Sequence, residues 1–339
     1  MHRGKAVSIA GCMLAGALAV RAIARSARKQ RSAGRAVLVT GGSRGLGLAI
    51  AIELVRRRAR VAICGRDAES LRRATAILRE KGGHVLALQA DVRERDRAQS
   101  AVREAHAHFG RLDALINNAG TIAVGPLETM TIEDYEDGMN THFWAMYFTV
   151  DAALPIFAQQ GGGSVVNVTS IGARVSVPHL SAYCASKFAA AGYSEGLRAE
   201  LASKNVAVTT VFPGLMRTGS PRNAWFKSQN AKEYAWFTLS DSLPGLSISA
   251  SSAARAIVDA MERGDAEVVL SLPAKAAVLL HGIAPKLVTG ALSVAALLLP
   301  KSGGIGTGRA RGAESESAIT ESLLTTLGKK AERDYNQVF

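Results

Sequence analysis

The segment from Ala36 to Val55 places a glycine-rich turn between a short apolar strand and a helix with apolar periodicity. The strand Ala36-Val37-Leu38-Val39 leads into Thr40-Gly41-Gly42-Ser43-Arg44-Gly45-Leu46-Gly47. Glycines at these places allow a tight turn and a close approach of the backbone to a pyrophosphate, which is held at the N-terminus of the helix. The segment therefore predicts the first unit of a dinucleotide-binding fold.

The same alternation of apolar strands and helices continues along the chain. Strands are predicted over 60–64, 84–89, 112–116 and 164–169, and helices run between them, including a long one over 131–157 that contains Asn140. Alternation at this spacing is typical of an α/β protein with a doubly wound parallel sheet. Such sheets bind their ligands at the carboxyl ends of the strands.

Tyr183 and Lys187 are four residues apart in a stretch that reads as the start of a helix, Ser181-Ala182-Tyr183-Cys184-Ala185-Ser186-Lys187. Residues at this spacing share one helix face, so both side chains can point into one pocket. A cation about 4 Å from the phenol is worth on the order of 4 kcal/mol at an effective dielectric of about 20, which lowers the phenol pKa by about three units. Tyr183 could then act as a proton donor or acceptor near neutral pH, although Tyr and Lys at this spacing also occur on ordinary surface helices.

The net charge of +13 belongs to the ends of the chain. Residues 1–35 contain eight Lys or Arg and no acid, and residues 272–339 contain eight against five acids, which leaves 25 against 23 between them. A nearly neutral body argues against nucleic acid as a partner. Cys12, Cys64 and Cys184 match no metal-ligand spacing, so no metal is expected, and they indicate a reducing compartment.

The end of the second strand indicates which dinucleotide is bound. An acid at this place accepts the ribose 2′-hydroxyl of NAD, whereas basic residues accommodate the 2′-phosphate of NADP. Here Gly65 and Arg66 follow the strand, and Arg44 lies in the glycine turn. Two guanidiniums suit a phosphate, and Asp67 is read as the N-cap of the next helix, so NADP(H) is preferred over NAD(H). Alternatively, Arg66 only caps or solvates the start of the next helix and does not contact the cofactor.

These motifs together resemble the short-chain dehydrogenase/reductase family over residues 36–271. The matching positions are Thr40, Gly41, Gly45, Gly47, Asp91, Asn117-Asn118-Ala119-Gly120, Asn140, Ser170, Tyr183, Lys187 and Pro213-Gly214. The resemblance implies a Rossmann-like sheet of about seven strands in the order 3-2-1-4-5-6-7, with helices on both faces. The glycine spacing is that of the non-extended branch, which reduces ketones and oxidises alcohols.

The resemblance also implies roles for individual residues. Ser170 would hydrogen-bond the substrate oxygen, and Tyr183 would exchange a proton with it. Lys187 would bind the nicotinamide ribose and lower the Tyr183 pKa, and Asn140 would hold a water through which protons reach Lys187. The implied cofactor-binding set is Thr40, Gly41, Ser43, Arg44, Gly45, Leu46, Gly47, Arg66, Asp91, Val92, Asn117, Ala119, Gly120, Tyr183, Lys187, Pro213, Gly214 and Thr218.

The segment 214–248 corresponds to the substrate lid of this family. It contains five aromatic residues in a chain where aromatics make up only 5%, namely Trp225, Phe226, Tyr234, Trp236 and Phe237. An aromatic lid favours a lipophilic substrate. The same rings could instead seat the lid on the body or on another subunit.

An apolar segment lies near each end of the chain. Residues 6–20 form an uncharged run followed by a dense group of arginines, which predicts an anchor or targeting segment over 1–35 with the catalytic domain facing the cytoplasm. An organelle-targeting peptide and a cleaved secretory signal are the alternatives. Residues 272–302 contain two apolar runs and are read as a hairpin in a membrane interface or as a dimerisation arm. Residues 303–339 are read as a mobile tail, with a short helix near 319–327.

The chain is therefore predicted to be a membrane-associated, NADP(H)-dependent oxidoreductase that interconverts a ketone and a secondary alcohol on a lipophilic substrate. Membership of the family implies a homodimer or homotetramer. A 3-ketoacyl reductase of fatty-acid or polyketide synthesis is an alternative, and such an enzyme would be cytoplasmic and would not need apolar ends. A non-catalytic NADPH-binding sensor or scaffold at the membrane is the other alternative.

Overall fold

Seven parallel strands form the central sheet of the computed structural model, which describes residues 32–318, 320–322 and 325–338. The strands are β1 (Ala36–Thr40), β2 (Arg60–Gly65), β3 (His84–Gln89), β4 (Ala114–Asn117), β5 (Gly163–Val168), β6 (Val206–Pro213) and β7 (Glu267–Leu270). Their order across the sheet is 3-2-1-4-5-6-7, as predicted from the sequence. The Rossmann-like fold is thereby confirmed.

Helices cover both faces of the sheet, because alternate residues of each strand point to opposite sides. In β1, Val37 and Val39 pack on one side and Ala36 and Leu38 on the other, each within a separate apolar core. The helices are α1 (Gly45–Arg56), α2 (Ala68–Glu80), α3 (Arg95–Phe109), α4 (Ile132–Met139), α5 (Ala145–Gln160), α6 (Ser181–Leu201), α7 (Asn230–Ser242), α8 (Ala250–Arg263), α9 (Leu272–Ile283), α10 (Pro285–Ala296) and α11 (Thr326–Asp334).

The long helix predicted over 131–157 is interrupted. A π-helical turn, Asn140–Trp144, separates α4 from α5. A π turn adds one residue to the helical repeat, so side chains after it face directions that regular helical periodicity does not predict. This interruption decides which residue of the turn faces the cavity described below.

The lid contains α7 and several short strands. Met216–Arg217 pairs with Ile248–Ser249, and Trp225–Phe226 lies between Ala123–Val124 and Ala310–Arg311 in a three-stranded sheet. The last of these strands comes from the C-terminal region. The lid is therefore tied both to the body and to a segment more than 80 residues further along the chain.

The C-terminal region differs from the predicted mobile tail, because much of residues 309–338 packs against the catalytic domain. Asn336 and Gln337 are almost fully buried. The helix in this region is α11, a few residues beyond the predicted 319–327. Buried amide side chains find backbone partners on the body and on the lid, and those bonds, which composition does not reveal, hold the segment in place.

The predicted apolar segment after β7 forms the helices α9 and α10, which are linked at Ala284. Many of its large apolar side chains are more than half exposed, namely Leu272, Leu279, Leu280, Ile283, Leu287, Val294, Leu297 and Leu298. Among the described residues, no helix is long and apolar enough to cross a membrane. The predicted anchor over 1–35 lies almost entirely outside the described residues.

Candidate active site

A cavity of about 570 Å³ lies at the carboxyl ends of the strands, between the sheet and the lid. This volume is in the range of cofactor and small-molecule sites. Its wall includes most of the residues predicted from the sequence: Gly41, Ser43, Arg44, Leu46, Arg66, Val92, Ala119, Gly120, Ser170, Tyr183, Lys187, Pro213, Gly214 and Thr218. The structure therefore brings together residues that are up to 177 positions apart in the chain.

The glycine turn is packed too tightly for side chains. A Cβ on Gly47 would lie 2.0 Å from the Gly41 carbonyl oxygen, and Gly41 itself has a φ of +62°. Thr40 Oγ1 accepts hydrogen bonds from the backbone N–H groups of Asn118 and Ala119, at 3.0 and 3.1 Å. The turn is thus shaped by residues that do not line the cavity themselves, namely Thr40, Gly45 and Gly47. It offers the close backbone approach that a dinucleotide pyrophosphate requires.

Two arginines face the cavity beside the glycine turn. Arg44 Nη1 donates to Asn223 Oδ1 at 3.2 Å. Arg66 Nη1 lies 3.8 Å from Asp91 Oδ2, which is a long ion pair. Burial, followed by the charges of Arg311 and Arg66, lowers the pKa of Arg44. Asp67 accepts from the Ser70 N–H at 2.7 Å and caps α2, as the sequence predicted. The positive groups at this end of the cavity suit an anion.

Asp91 and Asn117 lie just behind the cavity wall. The Asp91 carboxylate binds Arg93 at 2.6 Å, so Asp91, which the resemblance placed in the cofactor-binding set, faces arginines in this structure. Asn117 donates to Asn167 Oδ1 at 3.0 Å and accepts from Thr149 Oγ1 at 2.7 Å. Its amide joins β4 to β5 and α5, and thereby holds the strand end that forms the site.

Ser170, Tyr183 and Lys187 meet at the other end of the cavity. Ser170 follows β5 and accepts from the Gly172 N–H at 3.0 Å, and its hydroxyl is hydrogen-bonded to that of Tyr183. Tyr183 and Lys187 lie one turn apart on α6, with Lys187 Nζ 5.7 Å from the centre of the Tyr183 ring. Lys187 Nζ donates to the Val168 carbonyl oxygen at 3.2 Å. The three groups therefore face one pocket.

Burial shifts the pKa of both groups on α6. It lowers the pKa of Lys187 to about 7, because the charged ammonium loses its hydration. It raises the pKa of Tyr183, against the opposing effect of the hydrogen bond with Ser170. The lowered Tyr183 pKa predicted from the sequence is therefore wrong for this structure, because a lysine that is itself half neutral at pH 7 and several ångströms from the ring cannot offset the desolvation of the phenol.

Asn140 does not reach the cavity. Its side chain is exposed at the start of the π turn, whereas Thr141 and His142 of the same turn line the wall. The prediction that Asn140 holds a water beside Lys187 does not agree with this placement. The π turn explains the difference, because it rotates the buried face of the helix to residues one and two positions further on.

A second, small cavity lies between the π turn and Lys187. Its volume of about 10 Å³ is close to that of one water, and its wall includes Thr40, Asn117, Thr141, His142 and Lys187. The cavity has room for one water next to Lys187, where the resemblance placed a proton-relaying water. Its side-chain wall contains His142 in the place expected for Asn140.

Four of the five aromatic residues of the lid lie at the cavity or in the core beside it. Trp236 and Phe237 line the cavity. Phe226 and Tyr234 are buried with Val124, Leu180 and Cys184 in a core between the lid and the body. Phe237 also belongs to that core, so the aromatic residues both line the cavity and seat the lid on the body, and the lipophilic substrate stays a prediction.

The residues of the cavity wall that were not predicted from the sequence include polar or charged groups from the lid and the C-terminal region, among them Asp241, Arg311 and Gln337. Asp241 on α7 is buried, and burial raises its pKa to about 7. Arg311 and Gln337 enter the wall from the C-terminal region. No motif marks any of them, because their positions depend on how the lid and the C-terminal region fold back on the sheet.

The family model described as short chain dehydrogenase matches residues 35–228, which contain the glycine turn, Ser170, Tyr183 and Lys187. The chain belongs to the short-chain dehydrogenases. It is an NAD(P)-dependent oxidoreductase, and the resemblance noted from its motifs is confirmed.

Two relatives and one solved structure illustrate the similarity of this short-chain dehydrogenase to known proteins. It is 33% identical over 246 residues to a protein of Mycobacterium tuberculosis named as the oxidoreductase SadH, covering 72% of this chain and 88% of that protein. It is 36% identical over 194 residues to the hydroxynaphthalene reductase arp2 of Aspergillus fumigatus, covering 57% and 70%. A crystal structure described as a short-chain alcohol dehydrogenase from Sinorhizobium meliloti 1021 has a TM-score of 0.61 and 28% identity, covering 72% of this chain and 97% of that one.

Proposed function

We propose that this short-chain dehydrogenase interconverts a ketone and a secondary alcohol on a lipophilic substrate and prefers NADP(H) to NAD(H). The observation that supports the proposal is the meeting of Ser170, Tyr183 and Lys187 at an apolar end of a cavity whose other end holds Arg44 and Arg66. The end with Ser170, Tyr183 and Lys187 suits the reduction of a carbonyl group, and the end with Arg44 and Arg66 suits the phosphate of NADP(H).

The glycine turn, Arg44 and Arg66 would hold NADPH, which when bound would supply the hydride for the carbonyl carbon. The Ser170 hydroxyl donates a hydrogen bond to the carbonyl oxygen and orients it, and Tyr183 gives its phenolic proton to that oxygen, so that the alcohol forms. Burial keeps the phenol protonated at neutral pH, which suits this step. Lys187, with a pKa of about 7, can release a proton near neutrality and restore the phenol through the adjacent hydroxyls and water.

The proposed preference for NADP(H) is supported by the side chains beside the glycine turn. Arg44 and Arg66 line the same part of the cavity, and Asp67, the one carboxylate beside them in the wall, is engaged as a helix cap. A 2′-phosphate would find guanidinium groups there, whereas the Asp67 carboxylate, which would have to accept the ribose hydroxyl of NAD, has one oxygen engaged in the cap of α2.

The proposed lipophilic substrate is supported by the wall around Tyr183. Large apolar side chains surround that end of the cavity, namely Ile122, Val177, Leu180, Leu215, Met216, Trp236 and Phe237. Burying an apolar molecule against them is favourable by about 25 cal/mol for each Å² removed from water. Asp241 and Ser240 are the polar groups that α7 adds, and they would meet a polar substituent of the substrate.

We also propose that the α9–α10 hairpin lies in a membrane interface. Its exposed leucines are accompanied by Lys275, Lys286 and Lys301, and residues 272–301 contain no acid. The hairpin begins beside the cavity, because its first residues pack against Gly214 of the cavity wall. They are so close that a Cβ on Gly214 would lie 2.8 Å from Ser271 Oγ and 3.0 Å from Ala274 Cβ. A lipophilic substrate in the bilayer would then have a short path to Tyr183. The proposed location is thus the cytoplasmic face of a membrane.

A homodimer or homotetramer is the proposed assembly. An aromatic group on the outer surface of α5 and α6 supports it: Trp144 and Phe188 are 42% and 44% exposed, and Trp144 stacks on Phe148. Exposed aromatic side chains of this kind are enriched at interfaces between subunits.

The proposal is tested by measuring NADPH oxidation with a panel of lipophilic ketones, including steroid-like rings, long-chain ketones and 3-ketoacyl thioesters. Membrane and soluble fractions are assayed separately, and Tyr183→Phe gives the background rate. Turnover of a lipophilic ketone in the membrane fraction supports the proposal, whereas turnover restricted to acyl thioesters in the soluble fraction favours the ketoacyl reductase. Tight NADPH binding without oxidation by any member of the panel would favour the sensor.

A further inference from the structure

Arg311 and Gln337 of the C-terminal region, which lie beyond the part of the chain that the family model matches, belong to the wall of the cavity that also contains Arg44 and Arg66. Ala310–Arg311 pairs antiparallel with Trp225–Phe226 of the lid. Arg311 Nη1 donates to the Asn223 carbonyl oxygen at 2.6 Å, and its guanidinium lies 3.5 Å above the centre of the Trp225 ring. These contacts hold a positive group in the wall of the cofactor cavity.

The end of the same region is bonded to the glycine turn. The Gly45 N–H donates to the Tyr335 carbonyl oxygen at 2.8 Å. Asn336 Nδ2 donates to the carbonyl oxygens of Ser43 and Ser70, at 2.8 and 3.0 Å. Gln337 adds bonds to the lid, among them one from its Nε2 to the Thr218 carbonyl oxygen at 3.2 Å. The C-terminal region thus joins the turn and the lid on both sides of the cavity.

The charges at this end of the cavity are predominantly positive. Arg44 and Arg66 enter from the body and Arg311 from the C-terminal region. Burial, followed by the charges of neighbouring arginines, lowers the pKa of Arg44 and of Arg311, and Arg66 is among those neighbours for both. The carboxylates nearby also carry bonds of their own: Asp67 caps α2, Asp91 binds Arg93 and lies 3.8 Å from Arg66, and Glu314 accepts from the Arg311 backbone N–H. Three guanidiniums gathered in one part of a cavity wall favour an anion there.

We propose that Arg311 is a specificity-determining residue that the C-terminal region supplies to the phosphate on the adenosine ribose of NADP(H). This inference rests on the proposed preference for NADP(H). The bond to Asn223 and the stacking on Trp225 fix the plane of the guanidinium, and four of its five N–H donors remain outside the Asn223 bond. A preorganised fork of this kind binds a phosphate with little loss of conformational freedom.

The test compares full-length Arg311→Gln with Arg333→Gln, which removes the same charge from an exposed position on α11 outside the cavity wall. Calorimetry gives the dissociation constants of NADP⁺ and NAD⁺ for each protein. We expect Arg311→Gln to weaken NADP⁺ by about tenfold or more, the usual value of a charge-assisted bond, and NAD⁺ by less than about twofold. Arg333→Gln should leave both constants unchanged.

Three outcomes separate this inference from the proposed function. If the unmodified protein binds NADP⁺ and NAD⁺ equally, the proposed cofactor preference fails. If that preference is present but Arg311→Gln keeps it, or weakens both dinucleotides alike, Arg311 is not a phosphate ligand. Arg311→Lys keeps the charge but loses the planar fork of N–H donors, and it replaces the glutamine variant if that variant does not fold. Its NADP⁺ affinity should fall between that of the unmodified protein and that of Arg311→Gln. An affinity equal to that of the unmodified protein would overturn the role of the fork.

Discussion

His142 stands edge-on to the ring of Tyr183, with the ring centres 5.5 Å apart and the planes at 88°. Its Nε2 accepts from the Thr121 N–H at 3.1 Å, and its Nδ1 lies 2.8 Å from Ser186 Oγ. Burial, followed by the charge of Lys187, lowers the pKa of His142 well below its usual value, so the imidazole stays neutral. Because both ring nitrogens have partners, we infer that His142 holds Tyr183 in position.

The first prediction concerns this contact. His142→Ala should lower kcat about tenfold or more, because the Tyr183 ring loses its support and displacements near 1 Å are costly in catalysis. The Michaelis constant for NADPH should change little, since the glycine turn is untouched. Steady-state kinetics measures both constants. Asn140→Ala, from the exposed start of the same turn, is the matched control and should behave like the unmodified protein; a larger loss for Asn140→Ala would show that the role belongs to Asn140 after all.

Tyr183→Phe should reduce turnover by about a hundredfold or more, because the phenolic proton has no substitute at that place. The aromatic ring is kept, so NADPH binding should remain nearly intact when it is measured by fluorescence. Tyr193→Phe removes a hydroxyl from the same helix and is the control that should retain full activity. A Tyr183→Phe variant that keeps its rate would remove the proposed mechanism.

Arg66→Ala should raise the Michaelis constant for NADPH much more than that for NADH. The guanidinium contributes a charge-assisted contact only when a 2′-phosphate is present, and such a contact is worth about 1.5–3 kcal/mol. Initial rates with each cofactor give the comparison. Arg72→Ala, an exposed arginine on α2 paired with Glu69, is the control. Equal effects of Arg66→Ala on the two cofactors would reject the phosphate contact.

The buried Asp241 carboxyl should make stability depend on pH. Burial raises its pKa from 3.8 to about 7, so the folded protein binds this proton more tightly than the unfolded chain does. The contribution of Asp241 to stability is therefore full below pH 3.8 and is lost as the pH rises towards 7.

Asp241→Asn removes this dependence and should raise the melting temperature relative to the unmodified protein, with a gain that grows from pH 4 to pH 7 and then levels off. Each kcal/mol gained corresponds to roughly 2–4 °C for a domain of this size. Melting curves across this range provide the measurement. Asp151→Asn, at an exposed site on α5, should show no such trend, and a gain for Asp241→Asn that is independent of pH would contradict the prediction.

The hairpin should bind anionic vesicles. Each lysine near such a surface contributes about 1 kcal/mol, so the double variant Lys275→Glu and Lys286→Glu should lose about tenfold or more in a sedimentation assay. Lys81→Glu, at an exposed position beside the opposite edge of the sheet, is the control. If the unmodified protein stays in the supernatant, the membrane proposal fails. If it sediments and the double variant does too, the contact lies elsewhere in the chain.

The sequence by itself determined the sheet and the positions of most site residues. The strand order and the inclusion of Ser170 in the site followed from the resemblance to the short-chain dehydrogenase/reductase family. The glycine turn, the alternation of strands and helices, and the shared face of Tyr183 and Lys187 follow from local signals: strand and helix periodicity, glycines at fixed spacing, and residues four apart on one helix face. Such signals depend only on residues that are near one another in the sequence, so they can be read without knowing how the rest of the chain packs.

The tertiary structure alone decided the identity and state of the remaining groups. A single π turn replaces Asn140 by His142 in the wall, and burial, not proximity to Lys187, decides the direction of the Tyr183 pKa shift. Asp241 and Arg311 reach the cavity only because the lid and the C-terminal region fold over the sheet. Helix phase, desolvation and contacts between distant segments depend on the whole packed chain, and no local pattern of residues encodes them.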